Sequence, residues 1–286
     1  MTRKRDKRGA APHWKAEERR VPAAKPARSA PAPVQQPGGG RDRQRGRRES
    51  DVARIYGFHS VEAALKAPRR ELVRLYATAA AAERLKGEID ASGVETRIMT
   101  LEEVAQRAPR DAVHQGVVLE ARPLEPIDVS ELPSRGLVVV LDQITDPHNV
   151  GAILRTAAAF AVDALVTTER HSPEFSGTLA KSASGGLEHV PICTVTNLAR
   201  TLAEMGDMGY LRVGLDSEGP SPLDAVPLCR PLALVLGAED KGLRRLTRER
   251  CDALARLELP GAIKSLNVSN AAAIALALVY GKVGAV

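Results

Sequence analysis

Two unbroken apolar runs, LVVVLD at 137–142 and LALVLG at 232–237, constrain the fold more than anything else in the chain. Each stacks valine and leucine at consecutive positions, so neither face of the strand can be left to water, and each stops abruptly in a polar turn. A strand buried on both faces belongs to a mainly parallel sheet with helices above and below it. The rest of 136–286 fits that plan. Further strands are predicted over 164–167, 190–194 and 211–215, with helices over 150–161 and 198–205. An alanine-rich apolar helix over 267–280 closes the chain. No internal repeat is visible.

Upstream, residues 51–122 alternate short strands and helices. Strands are predicted at 54–56, 72–76, 94–99 and 117–120. Helices are predicted at 59–66, with Ser60 as cap, and at 79–91. A shorter helix starts at Thr100, with Glu103 at its third position. A connector with Pro123, Pro126 and Pro133 spans 123–135 and reads as a linker. Residues 1–50 combine Pro, Gly, Arg and Ala with one aromatic residue, Trp14, and are expected to form a disordered arm.

Charge separates the arm from the rest. The whole chain carries 41 Lys and Arg against 35 Asp and Glu, a net charge of +6. Residues 1–50 hold 15 basic and 5 acidic residues, net +10, which leaves 26 and 30, net −4, for 51–286. The arm is either a solubilising tail or an RNA-contacting segment that adds salt-sensitive affinity.

Several classes fall away. No run approaches a membrane span, and the charged N-terminus lacks the apolar centre of a secretory signal. Six prolines in the first 37 residues and Glu17-Glu18 spoil an amphipathic transit helix. Three cysteines without C-x-x-C spacing support neither a disulfide framework nor a zinc site, and a cytoplasmic location is expected. G-x-G-x-x-G after the first apolar strand, Walker A, H-E-x-x-H and G-x-S-x-G are all missing. Eight aromatic residues are too few for a base-stacking platform.

Three segments carry the candidate chemistry, each where polar residues interrupt the end of an apolar element. In DQITDPHNVGAILRTAAAF, 142–160, Arg155 sits in an alanine-rich helix. It either snorkels to solvent or aims at an anion beside the strand ends, where parallel sheets bind ligands. His148 reads as a turn residue. In LALVLGAEDKGL, 232–243, Glu239 lies in a turn bounded by Gly237 and Gly242, as a surface residue or a site residue. In LPGAIKSLNVSNAAA, 259–273, Ser265, Asn267, Ser269 and Asn270 precede the last helix. Capping uses one or two of them, and the surplus points to a polar ligand.

Taken together the three segments resemble the SpoU, or TrmH, family of RNA ribose 2′-O-methyltransferases. The motif N-x-G-x-x-x-R is present as NVGAILR from Asn149 to Arg155, G-x-E-x-x-G as GAEDKG from Gly237 to Gly242, and S-L-N-V-S from Ser265 to Ser269. The unit with GFHSVEAAL at 57–65 and HQGVV at 114–118 is similar to the small RNA-binding domain of the family's rRNA-modifying branch. One departure is LELPG at 257–261, where the family often has I-P-M-x-G.

The resemblance implies an α/β fold with a C-terminal SPOUT-type parallel sheet tied in a trefoil knot, a small α/β RNA-binding domain before it, and a homodimer. It implies transfer of a methyl group from S-adenosylmethionine to a ribose 2′-hydroxyl, with no metal, on a guanosine of large-subunit (23S) rRNA. The alternatives are a tRNA ribose substrate or a non-catalytic ribosome-assembly factor that binds rRNA. Asn149, Arg155, Glu239, Ser265 and Asn267 are the implied catalytic residues. Leu236, Gly237, Leu257, Leu266, Ser265 and Asn267 are the implied cofactor contacts. A guanidinium keeps its proton above pH 12, so Arg155 is read as a base or, with less cost, as an electrostatic group.

Overall fold

The computed structural model describes residues 52–110, 112–170, 172–175 and 177–284. The arm expected at 1–50 lies outside them.

The first unit runs β1 (Ala53–Tyr56), α1 (Phe58–Lys66), β2 (Leu72–Ala77), α2 (Ala79–Arg84), α3 (Lys86–Ser92), β3 (Thr96–Ile98), α4 (Leu101–Ala105) and β4 (Val117–Ala121). The strands lie in the order β1-β4-β2-β3, with β4 antiparallel to both neighbours and β3 parallel to β2. Thr100 and Glu103 close the expected capping box on α4. Ser60 is not a cap. The cap of α1 is Gly57 at φ 85°, and Ser60, inside the helix, donates its hydroxyl to the carbonyl of Ala180 at 3.0 Å. The helix expected over 79–91 breaks at Leu85, which leaves helical geometry to bury its side chain; packing overrides alanine's propensity there.

The connector is held rather than free. Ile127 forms a parallel bridge to Cys193, its N–H donating to Ile192 at 2.8 Å, and a 3₁₀ turn at Val129–Glu131 is capped by Asp128. The second unit follows with β5 (Leu137–Asp142), α5 (Pro147–Ala159), β6 (Ala164–Thr168), α6 (Gly177–Ala183), α7 (Gly186–His189) and β7 (Ile192–Val195). It continues with α8 (Leu198–Asp207), β8 (Leu211–Leu215), β9 (Ser221–Pro222), β10 (Leu232–Gly237), α9 (Arg245–Glu249), β11 (Ala253–Arg256) and α10 (Val268–Val283). Seven strands stand in the order β7-β6-β5-β10-β8-β11-β9, and every pairing is parallel.

The two apolar runs are the neighbouring central strands, and their register sets Leu137 beside Leu232 and Asp142 beside Gly237. Alternation divides their side chains as the pleat requires. Leu137, Val139 and Leu141 join the core beneath α5, α6 and α10, while Val138 and Val140 join the core beneath α8. The first of these cores continues without interruption into the small unit, through Ile55, Val61, Leu75 and Leu119.

Polar contacts lock the same seam. Arg70, before β2, donates Nε and Nη2 to the Glu188 carboxylate at 3.0 and 2.5 Å, and Nη1 to the carbonyl of Arg122 at 2.9 Å. The side chains are 1 % and 3 % exposed, so this is a buried, bidentate ion pair joining β2's entry to α7.

Candidate active site

The central strands end side by side, so their turns share one edge of the sheet. After β10 the chain folds onto its own backbone. A Cβ on Gly237 would stand 2.2 Å from the carbonyl carbon of Gly242 and 2.4 Å from the amide of Leu243, so only glycine fits. Gly242, at φ 60°, closes the turn by donating its N–H to Ala238 at 2.8 Å. Beyond it Arg244 donates its backbone N–H and Nε to the fully buried Asp142 carboxylate at 3.0 and 2.6 Å. Both ends of the turn are therefore anchored, and Glu239 stands at its tip.

Helix α5 begins opposite. Asp146 caps it by accepting the His148 N–H at 2.9 Å, and Pro147 takes the first helical position, so the predicted start moves two to three residues earlier. Asn149 then lies in the first turn and is 9 % exposed. Its Nδ2 donates to Glu239 Oε1 at 2.9 Å. From the third segment, Asn267 Nδ2 donates to the same oxygen at 2.6 Å and to Asn149 Oδ1 at 3.0 Å, and the Val268 N–H reaches Glu239 Oε1 at 3.2 Å. Asn267 also caps α10, accepting from the Ser269 N–H and hydroxyl at 2.9 and 2.6 Å. One carboxylate oxygen thus gathers three donors and ties three distant segments. Glu239 Oε2 takes no hydrogen bond among the described residues.

Beside this cluster lies a cavity of about 160 Å³. Leu236, Gly237, Leu257, Ser265 and Leu266, all singled out from the sequence, line it, with Glu239, Asp216, Ser217 and Lys264 among the polar groups at its wall. Leucine faces suit a flat apolar moiety, and the carboxylate and hydroxyls suit a polyhydroxylated, charged one. Asn267 does not line the cavity; its side chain is spent on the cluster and the cap. Arg155 is not in the cluster either. It lies about 9 Å further along α5, on another face, exposed and without a hydrogen bond or ion pair among the described residues.

Sequence reasoning missed α6 and α7, which back the site. Gly151, the central glycine of NVGAILR, is where α6 crosses α5: a Cβ there would stand 2.5 Å from Ser182 Cβ and 2.8 Å from the carbonyl of Leu179. Gly186 does the same for α7, 2.7 Å from the Leu154 carbonyl and 3.0 Å from Arg155 Cα. The close crossing sets Ser182 Oγ 3.2 Å from Nδ1 of His148. The small residues of SASGG at 182–186 were the available signal. Burial pushes the Cys193 and Cys251 thiols up to about 11 and about 12, well above neutral pH. Among the described residues no cluster of His, Cys, Asp or Glu could hold a metal ion.

Fold and site define a class: a parallel α/β protein that holds a polar, partly apolar ligand at the carboxyl edge of its sheet without a glycine-rich phosphate loop. Residues 136–277 match the SpoU rRNA Methylase family, and 54–127 match the family described as RNA 2′-O ribose methyltransferase substrate binding. Relatives include the 23S rRNA (guanosine-2′-O-)-methyltransferase RlmB of Nitrosomonas europaea, 40 % identical over 230 residues, covering 78 % of this chain and 88 % of the relative. The protein of the same description from Pseudomonas aeruginosa is 39 % identical over 248 residues, covering 79 % and 95 %. Among solved structures, a putative RNA methyltransferase of the TrmH family from Porphyromonas gingivalis superimposes with a TM-score of 0.67 at 26 % identity, covering 80 % and 89 %. The SpoU methyltransferase AviRb from Streptomyces viridochromogenes shares the fold, with a TM-score of 0.69 at 21 % identity and 81 % and 90 % coverage. The chain belongs to the SpoU rRNA methylase family.

Proposed function

We propose that this protein transfers a methyl group from S-adenosylmethionine to the ribose 2′-hydroxyl of a guanosine in 23S rRNA. The observation that carries the reading is the convergence of Asn149, Glu239 and Asn267 on one another beside a cavity lined by Leu236, Gly237, Leu257, Ser265 and Leu266. The relatives described as RlmB, similar over most of the chain, supply the substrate.

When bound, S-adenosylmethionine supplies a methyl group already activated on a sulfonium. The chain's own part is to place and to exclude. Leu236, Leu257 and Leu266, with the backbone of the Gly237 turn, would hold the cofactor in the cavity they line. Glu239, fixed by three donors, holds the ends of β10, α5 and α10 in one geometry, so that the two reactants meet in line. Ser265 offers a hydroxyl at the cavity wall. Arg155, exposed on α5 and without a carboxylate partner among the described residues, binds the substrate's phosphate and stabilises the developing 2′-oxyanion electrostatically as the hydroxyl proton passes to water.

The small unit at 51–122 binds the RNA, the connector at 123–135 joins it to the methyltransferase domain at 136–286, and the arm at 1–50 adds non-specific affinity. A trefoil knot in which the segment before α10 is threaded belongs to the same proposal, supported by the return of α10 onto α5. So does a homodimer, supported by the exposed Ile274, Leu278 and Tyr280 on α10. A cytoplasmic location, where rRNA is found, belongs to the same proposal; among the described residues no helix is long and apolar enough to cross a membrane.

Mapping ribose methylation in rRNA and tRNA from a deletion strain tests the reading. One missing 23S guanosine methyl, restored by the wild-type chain, is expected. An intact rRNA map with a missing tRNA methyl transfers the activity to tRNA, and an unchanged map with no S-adenosylmethionine binding makes the chain a pure RNA binder. Arg155→Lys keeps charge but loses the guanidinium fork, and is expected to cut turnover about 10²-fold while cofactor affinity stays within twofold.

A further inference from the structure

Two cations cross from one unit of the chain to the other, and they are treated differently. Arg70 is buried and satisfied by the Glu188 carboxylate. Lys181, on α6, has no carboxylate within ion-pair distance among the described residues. Among the described residues its ammonium donates only to the side-chain carbonyl of Gln115, at 3.1 Å. A seam that needed only glue would give this lysine an acid, as it gives one to Arg70.

The surroundings of Lys181 are built for it. Gln115 belongs to the HQG turn and holds φ 56°, a conformation uncommon for a residue with a side chain. Its Oε1 accepts from Lys181 and also from the Phe58 N–H at 3.0 Å, which pins the amide between two units. The lysine stem runs over Gly57, where a Cβ would stand 2.2 Å from Nζ and 3.0 Å from Cδ and Cε. The bare glycine is thus room for the lysine. The Arg84 guanidinium lies over the Phe58 ring, 4.1 Å from its centre. Toward the site, the next residue along α6, Ser182, meets His148, whose neighbour is Asn149 of the cluster. Arg84, Lys181 and His148 each lack a carboxylate ion-pair partner among the described residues.

We propose that Lys181 is a phosphate seat for the RNA backbone at the seam between the two units. This rests on the methyl-transfer reading and deepens it. The seat joins the unit that binds RNA to the one that modifies it. Partial burial pulls the Lys181 ammonium below its ordinary value, a desolvation cost that no acidic neighbour among the described residues offsets. A phosphate oxygen is the anion that offsets it, and Gln115 holds the ammonium in place until the RNA arrives.

The test uses the full chain, an in vitro transcript of 23S rRNA, and affinity measured against salt. Lys181→Gln is expected to weaken RNA binding about tenfold at low salt and to reduce the slope of log affinity against log salt by about one. Gln115→Glu keeps the acceptor for Phe58 and hands Lys181 a carboxylate. It is expected to weaken RNA binding by a similar factor without lowering the unfolding midpoint. Lys181→Arg should keep the wild-type slope, and all three variants should bind S-adenosylmethionine as the wild type does. Unchanged RNA affinity and slope in Lys181→Gln overturns the seat. So does a loss of affinity with unchanged slope and a lowered unfolding midpoint, which would make Lys181 a strut. In both cases the wild type still binds and methylates the transcript. A wild type that does neither removes the function reading itself, and the seat with it.

Discussion

At the residue scale the site turns on a single oxygen. Glu239 Oε1 accepts from Asn149 Nδ2, Asn267 Nδ2 and the Val268 N–H, so this carboxylate is the knot of three sequence segments. Charge-assisted bonds of this kind are roughly twice as strong as neutral ones. Glu239→Gln keeps an acceptor for the three donors and is expected to fold normally, with turnover lowered about tenfold. Glu239→Ala leaves three donors without their acceptor and frees the ends of α5 and α10 to drift. A misplacement of about 1 Å costs on the order of 10²-fold in rate, which is the loss expected. Steady-state kinetics on both variants checks the order. Equal turnover in the alanine variant and the wild type would show that the cluster plays no part in positioning.

At the scale of elements, α5 shows what the sequence could and could not tell. The two central strands were legible because burial on both faces leaves an unmistakable apolar run. The first two motif segments were legible because such runs end in them. The backing helices were not. GTLAKSA at 177–183 and GLEH at 186–189 are short, with no sustained period, and take their helical state from packing on α5. The break at Leu85 and the short strands Ser221–Pro222 and Ala253–Arg256 are likewise decided by tertiary contacts rather than by local pattern. What NVGAILR encodes becomes clear only with α6 in place. Asn149 serves the cluster, Gly151 lets α6 cross, and Arg155 stays outside. Adding a Cβ at Gly151 forces backbone apart, since the Leu179 carbonyl and the Ala183 amide lie 2.8 and 3.0 Å from it. Gly151→Ala gains helix propensity but overpacks the crossing, and is expected to destabilise by about 1–3 kcal/mol in a urea titration. Wild-type stability in that variant would show that the crossing yields freely.

For the whole molecule, net charge is a poor guide to how RNA is held. Residues 51–286 sum to −4, so attraction of this part of the chain for a polyanion must come from where cations are left unpaired. Docking of the small unit sets where those cations lie, and the buried Arg70–Glu188 pair is part of that docking. Both side chains are buried, and the guanidinium uses three of its donors, two on Glu188 and one on the Arg122 carbonyl. A buried pair adds little net stability over an apolar replacement, but removing one partner strands the other in a dry seam. Glu188→Gln is therefore expected to destabilise by about 3–5 kcal/mol, whereas Arg70→Met combined with Glu188→Leu should recover most of that loss. Chemical denaturation of Arg70→Met, Glu188→Leu and the double of the two gives the coupling energy. The same cycle has a functional arm. If the pair serves only to hold the seam closed, the double variant regains RNA affinity along with stability, because the apolar side chains refill the space between β2's entry and α7. If affinity stays low while stability returns, the pair also sets the angle at which the small unit presents RNA to α5. Additive single effects would show that the seam is held by its continuous apolar core alone.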